Sequence, residues 1–280
     1  MNNPLRFDVL VSAQIPVVTN DLPPGVSERR WSPISSTLIS GERDAVLVDT
    51  FITVEQNRTL VDWIAATGKN LTTIYATHGH GDHFFGVNTI RERFPKARFV
   101  TTPDVIAIMR AQASSPVLES FWKSRFPGQI DPTLVIADEL MGTIELEEQE
   151  LVSVPLGHTD TDNTTCLHVP SIGLVVAGDA VYNDVHVFLG ESNSDSRKEW
   201  LAALDTIESL KPSSIVAGHK RPDAADTPNT IGETRRYIRD FDRIATEAQS
   251  AQDLYNRMLT LYPNRVNPGA LWSSARGVKH

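Results

Sequence analysis

The chain of 280 residues carries 26 Lys and Arg against 35 Asp and Glu, a formal net charge of −9, with 40% hydrophobic and 22% charged residues. This is the balance of an ordinary folded globular chain, and it excludes binding to a nucleic-acid backbone or an anionic membrane, both of which need dense positive charge. The single cysteine, Cys166, excludes an internal disulfide framework and a cysteine-based zinc cluster.

No run approaches 18 apolar residues, and Met1-Asn2-Asn3-Pro4-Leu5-Arg6 lacks the charged-then-apolar order of a secretory signal, so a cytoplasmic protein is expected. Ile34 to Ser40 and Ala45 to Asp49 predict two strands joined by a tight turn at Gly41-Glu42-Arg43-Asp44. A helix follows from Val54 to about Thr67, with Leu60, Val61, Ile64 and Ala65 on one face and Gly68 at its end. Leu71 to Thr77 is β-rich and ends in His78-Gly79-His80-Gly81-Asp82-His83. A short helix from about Val87 to Phe94, a strand from Arg98 to Thr101 and a helix from Pro103 to about Ala111 come next. Residues 114–132, with Phe121, Trp122, Phe126 and Pro127, are unpatterned and long for a loop, which suggests either a lid or packed irregular structure.

In the second half, strands are expected at about Thr143 to Leu146, Glu150 to Pro155, Thr164 to Val169 and Gly173 to Ala177, in an antiparallel-looking series. A helix from about Arg197 to Leu210 and a strand from Ser213 to Ala217 follow. The last sixty residues read as helices at about Thr230 to Ala248 and Ala251 to Leu261 with an irregular tail. Strand blocks followed by helices suggest an α/β layered sandwich, sheets inside and helices outside.

Eight histidines are present, three of them within the six residues from His78 to His83. Imidazole and carboxylate suit a borderline divalent metal such as zinc, and this loop offers His78, His80, Asp82 and His83 as ligands, with Gly79 and Gly81 expected to let the backbone turn tightly. Further ligand types recur after strand and glycine: Gly157-His158, Gly178-Asp179 and Gly218-His219.

Taken together, these motifs resemble the metallo-β-lactamase-fold hydrolases, whose signature is HxHxDH followed by a downstream His, a bridging Asp and a final His. No linker is long enough to separate independent domains, so residues 1–280 read as a single domain with a C-terminal helical extension from about 228 to 280; the resemblance covers Ser32 to Arg221 and implies an α/β fold, the αββα four-layer sandwich. It assigns His78, His80 and His158 to a first metal, Asp82, His83 and His219 to a second, and Asp179 to a bridge. Asp49 matches a strand-end Asp that orients a ligand histidine, whereas Phe51 stands where the family pattern usually has Gly. The implied cofactor is a pair of divalent ions, zinc in the first instance, with iron or manganese as alternatives.

An Asp at position 179, rather than Cys or Ser, points to the glyoxalase II, lactonase and phosphodiesterase branches and away from antibiotic hydrolysis. Tyr182, three residues on, resembles the Tyr of acyl-homoserine-lactone lactonases that reaches the carbonyl or leaving oxygen. The expected function is hydrolysis of a small-molecule lactone or ester by a metal-bridged hydroxide, with Asp82 orienting the hydroxide and carrying its proton. A thioester hydrolase of the glyoxalase II kind is the alternative, and a mononuclear iron dioxygenase or a non-catalytic metal-binding module are further ones. The expected partner is a small molecule, not nucleic acid or membrane. His168 and Cys166 read as structural, His186 as a structural histidine beside a pocket that Glu191 could also line, and His280 as terminal.

Overall fold

The computed structural model describes residues 4–279; His280 lies outside them. Strands β1 (Arg6–Val11), β2 (Pro16–Val17), β3 (Arg29–Arg30), β4 (Ser35–Ser40) and β5 (Asp44–Val48) precede helix α1 (Val54–Ala66). Then come β6 (Asn70–Tyr75), α2 (Val87–Arg93), β7 (Arg98–Thr101), α3 (Pro103–Gln112), a one-turn helix α4 (Ser115–Val117) and β8 (Asp138–Glu139). The second half runs β9 (Ile144–Leu146), β10 (Gln149–Gly157), β11 (Thr164–Val169), β12 (Leu174–Asn183), α5 (Ser194–Ser209), β13 (Ser214–Lys220), α6 (Asn229–Glu247), α7 (Ala251–Leu261) and α8 (Pro268–Val278).

One sheet has the order β1-β4-β5-β6-β7-β8 and the other β13-β12-β11-β10-β9. Between them lies an apolar layer that includes Ile39, Val46, Val48, Val100, Leu167, Val169, Val176 and Val216. The outer face of the first sheet packs on helices through Leu60, Ile64, Ile90 and Met109. The outer face of the second packs on α5 to α8 through Trp200, Leu204, Tyr237, Phe241, Leu254 and Leu271. Helices, sheet, sheet and helices thus form the four-layer αββα sandwich. Fully buried aliphatic and aromatic side chains of this kind each contribute about 1.5–3 kcal/mol. Among the described residues no helix is long and apolar enough to cross a membrane.

Strand direction determines where the loops gather. β5, β6 and β7 are mutually parallel, and β12 pairs parallel with β13. β10 and β12 are each antiparallel to β11, so they too share a direction. The ends of β5, β6, β10, β12 and β13 therefore come to one edge of the sandwich. There the sheets are joined: Thr165 N donates to Thr77 O at 2.9 Å, and Ile34 forms a bridge with His219.

Three expectations change. Residues 115–123 are helical, α4 running into a π-helical turn at Leu118–Lys123, because Pro116 sits in a first turn where its missing N–H costs nothing. Residues 268–278, expected to be irregular, form α8, held by burial of Leu271 and Ala275 despite two helix glycines. β12 and β13 do not stop at their glycines. In β12 the pairing slips on either side of Gly178, whose φ of +53° makes a bulge, and the strand continues through Asp179 to Asn183.

Candidate metal centre

The centre begins with Asp49 at the end of β5. It is buried and takes a φ of +61°, a conformation Asp tolerates better than most residues. This turn brings its carboxylate under the histidine loop. Oδ1 accepts from Thr77 N at 2.8 Å, while Oδ2 accepts from Thr77 Oγ1 at 2.8 Å and lies 3.1 Å from His83 Nδ1. With its Nδ1 engaged in this way, His83 presents Nε2 to the site.

The loop glycines act by permitting close approach rather than by turning the chain, since neither takes a positive φ. A Cβ on Gly79 would stand 2.5 Å from Ile108 Cβ, and one on Gly81 would stand 2.3 Å from the Phe85 ring. Gly178 and Gly218 serve the same end: added Cβ atoms would meet Thr77 Oγ1 at 2.4 Å and Asp179 Oδ1 at 2.0 Å.

Asp82, His83 and His219 come together with their ligand atoms within 4.8 Å of one another. His83 Nε2 is 3.3 Å from Asp179 Oδ1 and 3.8 Å from Asp82 Oδ2; His219 Nε2 is 3.0 Å from Asp179 Oδ2 and 3.5 Å from Asp82 Oδ2. His219 Nδ1 faces Pro33 O at 2.9 Å, which leaves Nε2 for the site.

His78 and His80 form a second group, and the third residue within the same reach is Asp160, which sequence reasoning missed. Its only signal was a carboxylate two positions past His158, in a Thr- and Asp-rich turn. His158 is in neither group: Nδ1 lies 2.6 Å from Asp162 Oδ1, and Nε2 is buried with no hydrogen-bond partner. Also unforeseen is Trp31, whose Nε1–H donates to Asp82 Oδ2 at 2.9 Å.

Tyr182 is fully buried, and its hydroxyl donates to Asp179 Oδ2 at 2.8 Å. Glu191 faces His80 Nε2 at 3.3 Å, whereas His186 is buried against Tyr237 Oη at 3.0 Å, away from the cavity wall. Of this pair only Glu191 belongs to the pocket.

Electrostatically the centre calls for positive charge. Burial disfavours an imidazolium at His83, yet Asp179, Asp82 and Asp49 raise its pKa to about 10. Burial likewise opposes charge on His80, but Asp160 and Glu191 lift it well above its ordinary value. Burial would raise the Asp179 carboxyl, and His219 and His83 instead hold it far below the usual range. At the same time His78 Nε2, His83 Nε2, His158 Nε2, Asp160 Oδ2 and Asp179 Oδ1 are buried without a hydrogen-bond partner. Orphaned imidazole nitrogens and carboxylate oxygens converging in one place fit divalent cations, which satisfy all of them at once.

Beside these groups lies a cavity of about 490 Å³, which Asp179 reaches directly. Its walls include His80, Asp82, Asp179, Tyr182 and His219 on one side and Trp31, Phe121, Trp122 and Phe188 on the other. Trp122 and Phe126 are themselves core residues, so the 115–123 helix is a packed wall, with Phe121 about one-third exposed at its rim.

A four-layer sandwich with buried His and Asp clusters at the shared edge of its sheets defines a metal-dependent hydrolase fold. The chain belongs to the metallo-beta-lactamase superfamily, whose family model matches residues 29–219. No curated protein matches the chain. Among solved structures it is similar to a metallo-beta-lactamase family protein from Thermus thermophilus, with 18% identity, TM-score 0.62, and 96% of this chain and 91% of that one covered. It is also similar to a beta-lactamase domain protein from Burkholderia ambifaria, with 19% identity, TM-score 0.60, and 94% and 84% covered. The FIM-1 metallo-beta-lactamase from Pseudomonas aeruginosa, in its mono-zinc form, shares 14% identity at TM-score 0.57 over 85% and 92% of the two chains. Identities at this level speak to the fold.

Proposed function

We propose that the protein is a dinuclear hydrolase of small-molecule lactones or esters. The reading rests on buried, unpartnered His and Asp atoms gathered beside one cavity, whose wall His80, Asp82, Asp179 and His219 supply. His78, His80 and His158 would hold one divalent ion and Asp82, His83 and His219 the other, with Asp179 between them. Bound there, such ions would supply an activated water near neutral pH and polarise a carbonyl.

The protein's own groups do the rest. Asp82, held by the Trp31 indole, is placed on the cavity wall to orient the water and take its proton. Burial and the neighbouring Asp179 keep the Tyr182 hydroxyl protonated, so it acts only as a donor. That donation, made to Asp179 at rest, is assigned to the oxyanion that develops during attack. Trp31, Phe121, Trp122 and Phe188 suit an apolar substrate body and exclude water around the reacting carbonyl. A reducing cytoplasmic setting remains the reading for a chain whose single cysteine is buried.

The test is a panel of lactones, simple esters and S-lactoylglutathione with the metal-loaded protein. Lactone or ester turnover, abolished together with metal binding in His80→Ala, is expected. Thioester turnover without lactone or ester turnover would overturn the substrate class.

A further inference from the structure

The turn between β10 and β11 holds two residues of metal-binding chemistry. His158 fits the pattern that the resemblance implies. Asp160 does not belong to that pattern, yet it is wholly buried and points between His78 and His80. Its Oδ2 lies 2.8 Å from His80 Nδ1 and 3.6 Å from His78 Nε2. No donor meets that oxygen in hydrogen-bond geometry, and His78 Nε2 is likewise unmet.

The far side of each of the three side chains is already committed. Asp160 Oδ1 accepts from Thr159 Oγ1 at 3.0 Å, His78 Nδ1 is 3.0 Å from Thr77 Oγ1, and His80 Nε2 is 3.3 Å from Glu191. What remains is one oxygen and two nitrogens facing a common point. A buried carboxylate whose second oxygen has no hydrogen-bond donor is costly unless a cation pairs with it.

The turn is shaped to hold it there. Gly157 has a φ of +75°, Thr164 Oγ1 donates to Gly157 O at 3.0 Å, and Thr159 N donates to Thr161 O at 2.9 Å. Those contacts fold residues 157–164 inward, so Asp160 is buried while Asp162 is left exposed.

We propose that Asp160 is a ligand of the first ion, joining His78 and His80. The inference rests on the dinuclear reading above, and it makes the first site a mixed imidazole–carboxylate set with His158 beside it. An oxygen donor there favours harder ions, manganese or iron, more than an all-imidazole site does.

The experiment uses the full chain stripped with a chelator and titrated with zinc, comparing wild type with Asp160→Asn by calorimetry and elemental analysis. Cobalt(II) loading gives a visible spectrum as a second readout. The expected result is two ions in wild type, with loss of one or at least tenfold weaker binding of it in Asp160→Asn, and altered cobalt bands. Two ions bound at wild-type affinity by Asp160→Asn, with unaltered bands, would overturn the assignment alone. A wild type that binds no ion would overturn the dinuclear reading itself. Should Asp160→Asn fail to fold, a crystal structure of zinc-loaded wild type decides: Oδ2 at about 2.0–2.2 Å from zinc is expected, and a separation beyond about 3 Å contradicts it.

Discussion

Asp49 reaches no substrate, yet the histidine loop depends on it. Its two oxygens hold Thr77 and His83 together at the end of β5. Asp49→Asn keeps a residue that tolerates positive φ but removes the charge that orients His83. A fall of about 10–100-fold in affinity for the second ion is expected by zinc titration; unchanged affinity would contradict this positioning role. Tyr182→Phe separates two uses of one hydroxyl. If the proton serves the developing oxyanion, kcat falls about 10²–10³-fold with metal content intact. If zinc binding falls instead, the bond to Asp179 is its whole contribution. Legibility at this scale followed chemistry and spacing. His78, His80, Asp82, His83 and His219 stood out because ligand types recurred after strand and glycine, and the structure brings them to one edge. Trp31 gave no such sign, since its contact with Asp82 spans 51 positions and nothing local requires it.

Among the elements, the glycines of β12 and β13 matter because two strands and a loop meet where there is no room for a methyl group. Gly218→Ala would place a Cβ 2.0 Å from Asp179 Oδ1 and 2.7 Å from the Gly178 backbone. Both a lower Tm and loss of the second ion are expected, and unaltered values for both would refute the crowding argument. The β4–β5 turn shows a different dependence. Glu147 accepts from the backbone N–H of Asp44, Arg43 and Glu42 at 2.8, 2.6 and 2.7 Å, and these bonds lower its pKa from 4.5 to about 2. A depressed carboxylate stabilises fully above its unfolded value and loses that contribution as pH falls through its folded one. The Tm difference between wild type and Glu147→Gln should therefore persist above about pH 4.5 and vanish towards pH 2. A difference that does not change between those values would contradict it. Elements with clear apolar blocks and punctuation, such as Arg98–Thr101, Thr164–Val169 and Ala251–Leu261, were legible to the residue. α8 was not, because Gly269, Ser273, Ser274 and Gly277 favour no helix and only packing against the second sheet's helices supplies the stability.

For the whole molecule, the C-terminal helices and the second sheet share one core, in which Trp200, Tyr237, Phe241, Leu254 and Leu271 are buried together. A single domain that includes the helical extension follows as our reading. Removing the chain from Asn229 onward should therefore leave an insoluble or molten remainder by circular dichroism and light scattering. A soluble, cooperatively unfolding remainder would contradict it. The acidic balance of −9 also acquires a local meaning. Asp82, Asp160 and Asp179 lie among the candidate ligands, with Asp49 beneath them and Glu191 on the cavity wall, so two divalent ions, about four positive charges, would offset most of this local negative charge. Zinc titration of the chelator-stripped full chain, followed in parallel by calorimetry and lactone or ester hydrolysis, tests whether two ions drive the reaction. Two equivalents bound per chain, with activity returning as they bind, is the predicted result; hydrolysis that persists in the stripped protein, or a chain that binds no zinc, would contradict it.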